Sequence, residues 1–155
     1  MEHVRIDDVD SYMGPADVTR PVARALETTN MGLNYYELGP GDSMAYGYHA
    51  HTDQEEVFYV QSGAVTFRTE DGDVTVEAGE IARFEPGEYQ RGTNRGEERA
   101  VVLAIGAPKE TGETEILVHC DACGEETPNS IEMADDRSAI ITVCDNCGTE
   151  TARYT

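Results

Sequence analysis

Apolar and polar residues alternate on either side of Asp71-Gly72, through Ala64–Thr69 and again through 73–77. Successive side chains of a strand leave opposite faces, so the pattern predicts a hairpin turning at the Asp-Gly pair. Short runs of similar length precede and follow it. Strands are predicted at 33–38, 43–50, 56–61, 64–69, 73–77, 80–84 and 99–105, most of them bounded by Gly, Pro, Asp or Asn, as at Gly39-Pro40-Gly41-Asp42 and Asn94-Arg95-Gly96. Strands this closely spaced, with no helices between them, predict an all-β sandwich or barrel. Ahead of them lies a lead-in in which 20–27 could form two helical turns, with Pro21 near the first helical position. Behind them, 107–114 reads as a polar linker containing Pro and Gly. Three parts are therefore expected: a lead-in over 1–30, a β domain over 31–108 and a Cys-containing unit over 109–155.

Charge narrows the classes of partner. The 155 residues carry 11 bases and 31 acids, a net −20 at pH 7. Phosphates and anionic membranes would be repelled, which argues against a nucleic-acid binder and against a membrane-surface protein. The acidity is shared: 8 bases and 20 acids lie in 1–108, and 3 bases and 11 acids in 109–155. Only Lys109 is a lysine; the other ten bases are arginine. An acidic surface nearly free of Lys resembles that of halophilic proteins, where salt screens the self-repulsion. The longest apolar run, 100–107, has eight residues, far short of the ~20 of a spanning helix. The N-terminal residues show no basic-then-apolar export pattern, so a cytoplasmic protein is expected.

His49-Ala50-His51 sends two imidazoles from one face of a strand, and Glu56 follows where a turn could bring a neighbouring strand beside it. Two His and a carboxylate on one face suit iron, with manganese, nickel and zinc as alternatives. The order Gly41, His49-x-His51, Glu56, then Gly63 resembles the first motif of the cupin superfamily. Gly79, Glu85-Pro86-Gly87, Gln90 and Asn94 follow in the order of the second. The resemblance spans roughly 31–106 and implies a small antiparallel β-barrel, or jelly roll, with a metal inside. It also implies a pocket for a small organic ligand or substrate, and a homodimer. Three positions depart from the pattern: seven residues separate Gly41 from His49 instead of five, Pro86 falls one place late, and Gln90 stands where the third His belongs. The implied barrel ligands are then His49, His51, Glu56 and Gln90, the last through its amide oxygen. Alternation would turn Ala45 and Gly47 inward with the two His, and Phe58 and Val60 inward with Glu56. Met44, Tyr46, Tyr48 and Tyr59 would face outward.

The four cysteines form two nearly repeated segments, Cys120-Asp121-Ala122-Cys123-Gly124 and Cys144-Asp145-Asn146-Cys147-Gly148, with 20 residues between the pairs. Four thiolates at this spacing match a structural zinc site, with Cys120, Cys123, Cys144 and Cys147 as ligands and His119 a bystander. A Gly after each second Cys permits the positive φ of a metal knuckle. With predicted strands at 115–119 and 138–143, the whole resembles a zinc ribbon. A unit this small needs its metal to fold. Its few bases point away from nucleic acid and towards a protein contact: a partner, its own barrel or a second subunit.

Three functions remain open on these residues: a metal-binding barrel of unassigned activity, a mononuclear metalloenzyme (dioxygenase, isomerase or sugar-acid type), or a metal-free ligand sensor whose ribbon docks a partner. Tyr48, Tyr89 and Arg91 lie near the site in sequence, but no catalytic acid or base is assigned among them.

Overall fold

The computed structural model describes residues 1–155, and it is built almost entirely of strands. A 3-10 turn at Ile6–Asp8 and one helical turn, α1 (Val22–Ala25), are the only helical elements. The strands are β1 (Val18–Arg20), β2 (Gly32–Leu38), β3 (Tyr48–His51), β4 (Glu55–Ser62), β5 (Ala64–Thr69), β6 (Gly72–Glu77), β7 (Ile81–Phe84), β8 (Arg91–Thr93), β9 (Ala100–Ala107), β10 (Thr114–Cys120), β11 (Glu125–Met133), β12 (Ile140–Cys144) and β13 (Glu150–Tyr154). All pairings are antiparallel.

One sheet has the order β1-β2-β9-β4-β7, and a smaller one the order β6-β5-β8. The apolar core lies between them. Alternate residues of β9 (Ala100, Val102, Ala104) are buried, and they meet Leu38, Phe58, Val60, Val65, Phe67 and Val76. Phe67 brings its ring from the small sheet to within 5.1 Å of Phe58 and 5.3 Å of Phe84, both on the large one. Burial of these side chains closes the barrel, at roughly 1.5–3 kcal/mol for each large one.

The first 30 residues join this architecture. β1 extends the large sheet along β2, and Val22 and Ala23 are buried. The expected two-turn helix is a single turn capped by Pro21, because Glu27 takes a left-handed φ of 52° and ends it. The expected strand over 43–50 is also shorter. Ser43 Oγ donates to Gly92 O and accepts from Ala45 N, which ties the chain into a bend and delays regular pairing until Tyr48.

The third sheet crosses the expected linker. Its order is β13-β12-β11-β10-β3, so the strand carrying the two His belongs to the same sheet as the cysteine-bearing strands. Thr114 pairs with His51, Glu115 with Ala50, Ile116 with His49 and Leu117 with Tyr48. Arg68 on β5 adds a bidentate bridge to Glu126 on β11 (2.6 and 2.8 Å) while its guanidinium lies 4.2 Å over the Tyr48 ring.

Candidate metal centres and pocket

Period-two geometry puts His49 and His51 on one face of β3, and the β4 register brings Glu56 across from Gly106, whose lack of a side chain leaves room for the Gln54 amide. Glu56 Oε2 stands 3.6 Å from His51 Nε2 and 3.9 Å from His49 Nε2. Ligands in adjacent positions about 2.1 Å from one ion would be roughly 3.0–3.4 Å apart, so small side-chain adjustments bring all three onto one metal. Both Nδ1 atoms are engaged elsewhere: that of His49 on Gly47 O (3.2 Å), that of His51 on Thr114 Oγ1 (2.8 Å). Such contacts fix ring orientation and leave the Nε2 lone pairs for a ligand.

Gln90 completes the ring in an unexpected sense. The bridge between His49 and Gln90 carries it to the site. Its amide nitrogen, not its oxygen, faces the ligands, donating to Glu56 Oε2 at 2.9 Å and lying 3.2 Å from His49 Nε2. Coordination through the oxygen requires the amide to rotate by half a turn.

Burial sets the electrostatics. It lowers the His49 pKa to about 4, helped by the neighbouring His51, and lowers that of His51. Burial raises Glu56 to about 7, opposed by the Gln90 hydrogen bond. Tyr36 is partly buried, and desolvation, helped by the nearby Glu56, keeps its phenol proton well above the ordinary range. A divalent cation would reverse the balance at Glu56 by favouring the carboxylate.

These groups open into a cavity of about 310 Å³. Ala45, Gly47 and Phe58 line it as alternation implied, and Tyr59 points outward. Met44 and Tyr46 also line it, contrary to the expectation that they face outward, because the Ser43 bend breaks the alternation there. Tyr48 and Tyr89 stack with ring centres 5.3 Å apart outside this cavity, and Arg91 Nε donates to Ser43 Oγ. Asn34, Tyr36, Gln54, Lys109, Thr114, Ile116 and Ile131 are lining residues that sequence reasoning missed, since no motif marks them. A larger depression of about 1090 Å³ over His3–Tyr12 and Arg24 is shallow and gathers no ligand set.

The four cysteines converge at the other end of β10. Cys120 and Cys147 Sγ are 3.6 Å apart, and Cys123 and Cys144 Sγ 3.9 Å. A tetrahedron with metal–sulfur bonds of about 2.3 Å has edges of roughly 3.8 Å, so the spacing fits one ion and is far too long for disulfides. Gly124 and Gly148 take φ of 76° and 74° in the two knuckles. Donation from Thr127 lowers the Cys144 thiol to about 6, while the adjacent thiols raise Cys123 to about 12. Thiols packed this closely ionise together only around a cation.

Comparison with known proteins agrees with this architecture. The family model described as the cupin domain matches residues 34–106, just under half of the chain. No curated protein matches. Among solved structures, a sugar phosphate isomerase from a cupin superfamily, from Silicibacter pomeroyi, is similar over 99% of this chain and 90% of its own, with 17% identity and a TM-score of 0.62. An uncharacterised conserved protein with a double-stranded β-helix domain, from Klebsiella pneumoniae, shows 21% identity and a TM-score of 0.61 over 74% of this chain and 89% of its own. A predicted oxalate decarboxylase of Thermotoga maritima shows 20% identity and a TM-score of 0.60 over 69% of this chain and 99% of its own. These likenesses establish the cupin fold.

Proposed function

We propose that this protein is a mononuclear metal-binding cupin whose barrel receives a small, oxygen-rich organic ligand, with a structural zinc among the four cysteines. The supporting observation is the convergence of His49 Nε2, His51 Nε2 and Glu56 Oε2 in the cavity while both Nδ1 atoms are held elsewhere. A divalent ion bound there (iron, manganese, nickel or zinc) would supply Lewis acidity towards a ligand oxygen.

The chain's own residues shape the rest. Gln54 Nε2 is spent on Pro108 O (2.6 Å) and Lys109 O (3.3 Å), which leaves its amide oxygen to accept from a ligand hydroxyl. Asn34 and Tyr36 add polar atoms to the lining, and Met44 and Phe58 add apolar surface. Lys109, the one lysine, also lines the cavity, with its Nζ donating to Thr28 O at 2.6 Å, and it adds a positive charge beside the site in an otherwise acidic protein. The similar structures named for sugar phosphate and oxalate chemistry concern ligands of this class. The reading extends to a cytoplasmic homodimer adapted to high salt, supported by the acidic, Lys-poor composition and the cupin resemblance.

A second reading, a metal-free ligand-binding module, draws on Gln90, whose N–H already satisfies Glu56 without a cation. Elemental analysis of protein purified without added metal separates the two. The expected result is one zinc and one further divalent ion per chain, with His51→Ala keeping the zinc and losing the other. Zinc alone, with no second ion taken up on titration, would overturn the metal reading in favour of the second.

A further inference from the structure

The strand that ends at the cysteine cluster begins at the barrel's site. β10 reaches Cys120 at its far end, and its first residue, Thr114, lies opposite His51 in the pairing with β3. We propose that Thr114 is a positioning residue for His51, so that the four-cysteine unit completes the barrel's site and is not an appended docking module.

The contacts of one hydroxyl carry the argument. Thr114 Oγ1 lies 2.8 Å from His51 Nδ1, and Thr111 Oγ1, 3.4 Å away, is a second neighbour towards which its single proton can turn. With the proton turned there, the oxygen accepts from His51 Nδ1–H, the tautomer that aims an unprotonated Nε2 at the site and the one a metal at Nε2 requires. Without the hydroxyl, neither tautomer of His51 has this preference.

Packing beside the strand shows that the two parts are fitted to each other. A Cβ at Gly47 would sit 2.6 Å from Leu117 O and 2.7 Å from Ile116 Cγ2, so only glycine lets the pocket loop lie flush on β10. Ile116 and Ile131 from the same unit line the cavity. Tyr154, at the end of β13, donates to Tyr46 O at 3.2 Å and sets its ring edge-on to Tyr46 at 5.2 Å. The C-terminal unit thus holds the pocket loop as well as the His strand.

The consequence for metal affinity rests on the proposed function; the consequence for the tautomer does not. The test uses the full chain loaded with one equivalent of zinc, as wild type, Thr114→Val and Thr114→Ser. Long-range ¹H–¹⁵N correlation spectra should show His51 as the Nδ1–H tautomer in wild type and in Thr114→Ser. In Thr114→Val the Nε2–H form should appear. Titration with Co²⁺, followed by its visible spectrum, should show barrel affinity falling about tenfold in Thr114→Val and recovering with Ser. Equal loss of melting temperature in both variants, without a change of tautomer or affinity in the Val variant, would mean an ordinary structural role and overturn the inference. A tautomer change on Thr114→Val in a wild-type background that takes up no second metal would overturn the metal reading instead and leave the positioning role standing.

Discussion

His49 is buried and Glu56 beside it largely so, and their pKa values shift in opposite directions, which makes the metal-free site sensitive to pH. The unfolded chain releases the Glu56 proton near the ordinary 4.5 and the folded one near 7. Its burial therefore costs nothing below the lower value and its full amount above the higher one. Glu56→Gln, which keeps an acceptor for the Gln90 amide, should raise the melting temperature of metal-free protein at about pH 8 and change it little at about pH 5. Melting curves of the two proteins at both values check this, and an equal shift at both would exclude titration of Glu56 as the cause. His49 acts in the other sense: its pKa falls from 6.5 to about 4, so stability is lost as the pH drops through that interval.

Among the elements, short runs bounded by turn residues were legible in the sequence: β5 runs over the predicted residues, and β2, β4, β6, β7 and β9 lie within two residues of theirs. β1 and β8, three residues each, are too short to show a period, and their pairing to β2 and β5 is decided by tertiary contact. β11 contains Thr127-Pro128-Asn129-Ser130, a poor strand sequence held in place by neighbours on both sides. The convergence of His49, His51 and Glu56 was legible because strand geometry and motif order point the same way; Thr114 was not, because long-range pairing alone brings it to the site, and Gln54, between His51 and Glu56 in the chain, carries no motif of its own. The same pairing bears on what the barrel feels when the cysteine unit cannot hold its metal. Cys123→Ser removes one of four thiolates, and the strands beyond β10 have little core of their own. Hydrogen exchange should then rise sharply in β12 and β13 and moderately in β10, while amides of β4, β5 and β9 stay protected. Loss of protection in the barrel core would show that the two parts unfold as one.

For the whole molecule, charge dominates. Arg68, Arg83, Arg95, Arg99 and Arg153 are already paired with carboxylates, so most of the 31 acids face solvent without a counter-charge. Screening of that repulsion should raise the unfolding midpoint steadily from low to molar KCl. A flat or falling series would remove the case for adaptation to salt. The shared third sheet also governs how the chain comes into being. Tyr48–His51 leave the ribosome early, yet their partners along one edge are residues 114–117, more than sixty positions later. Until those emerge, the nascent His strand presents bare amides and carbonyls that any other strand can capture. A fragment ending before residue 114 keeps that open edge permanently, so attempts to produce the barrel alone should meet aggregation rather than a smaller working protein.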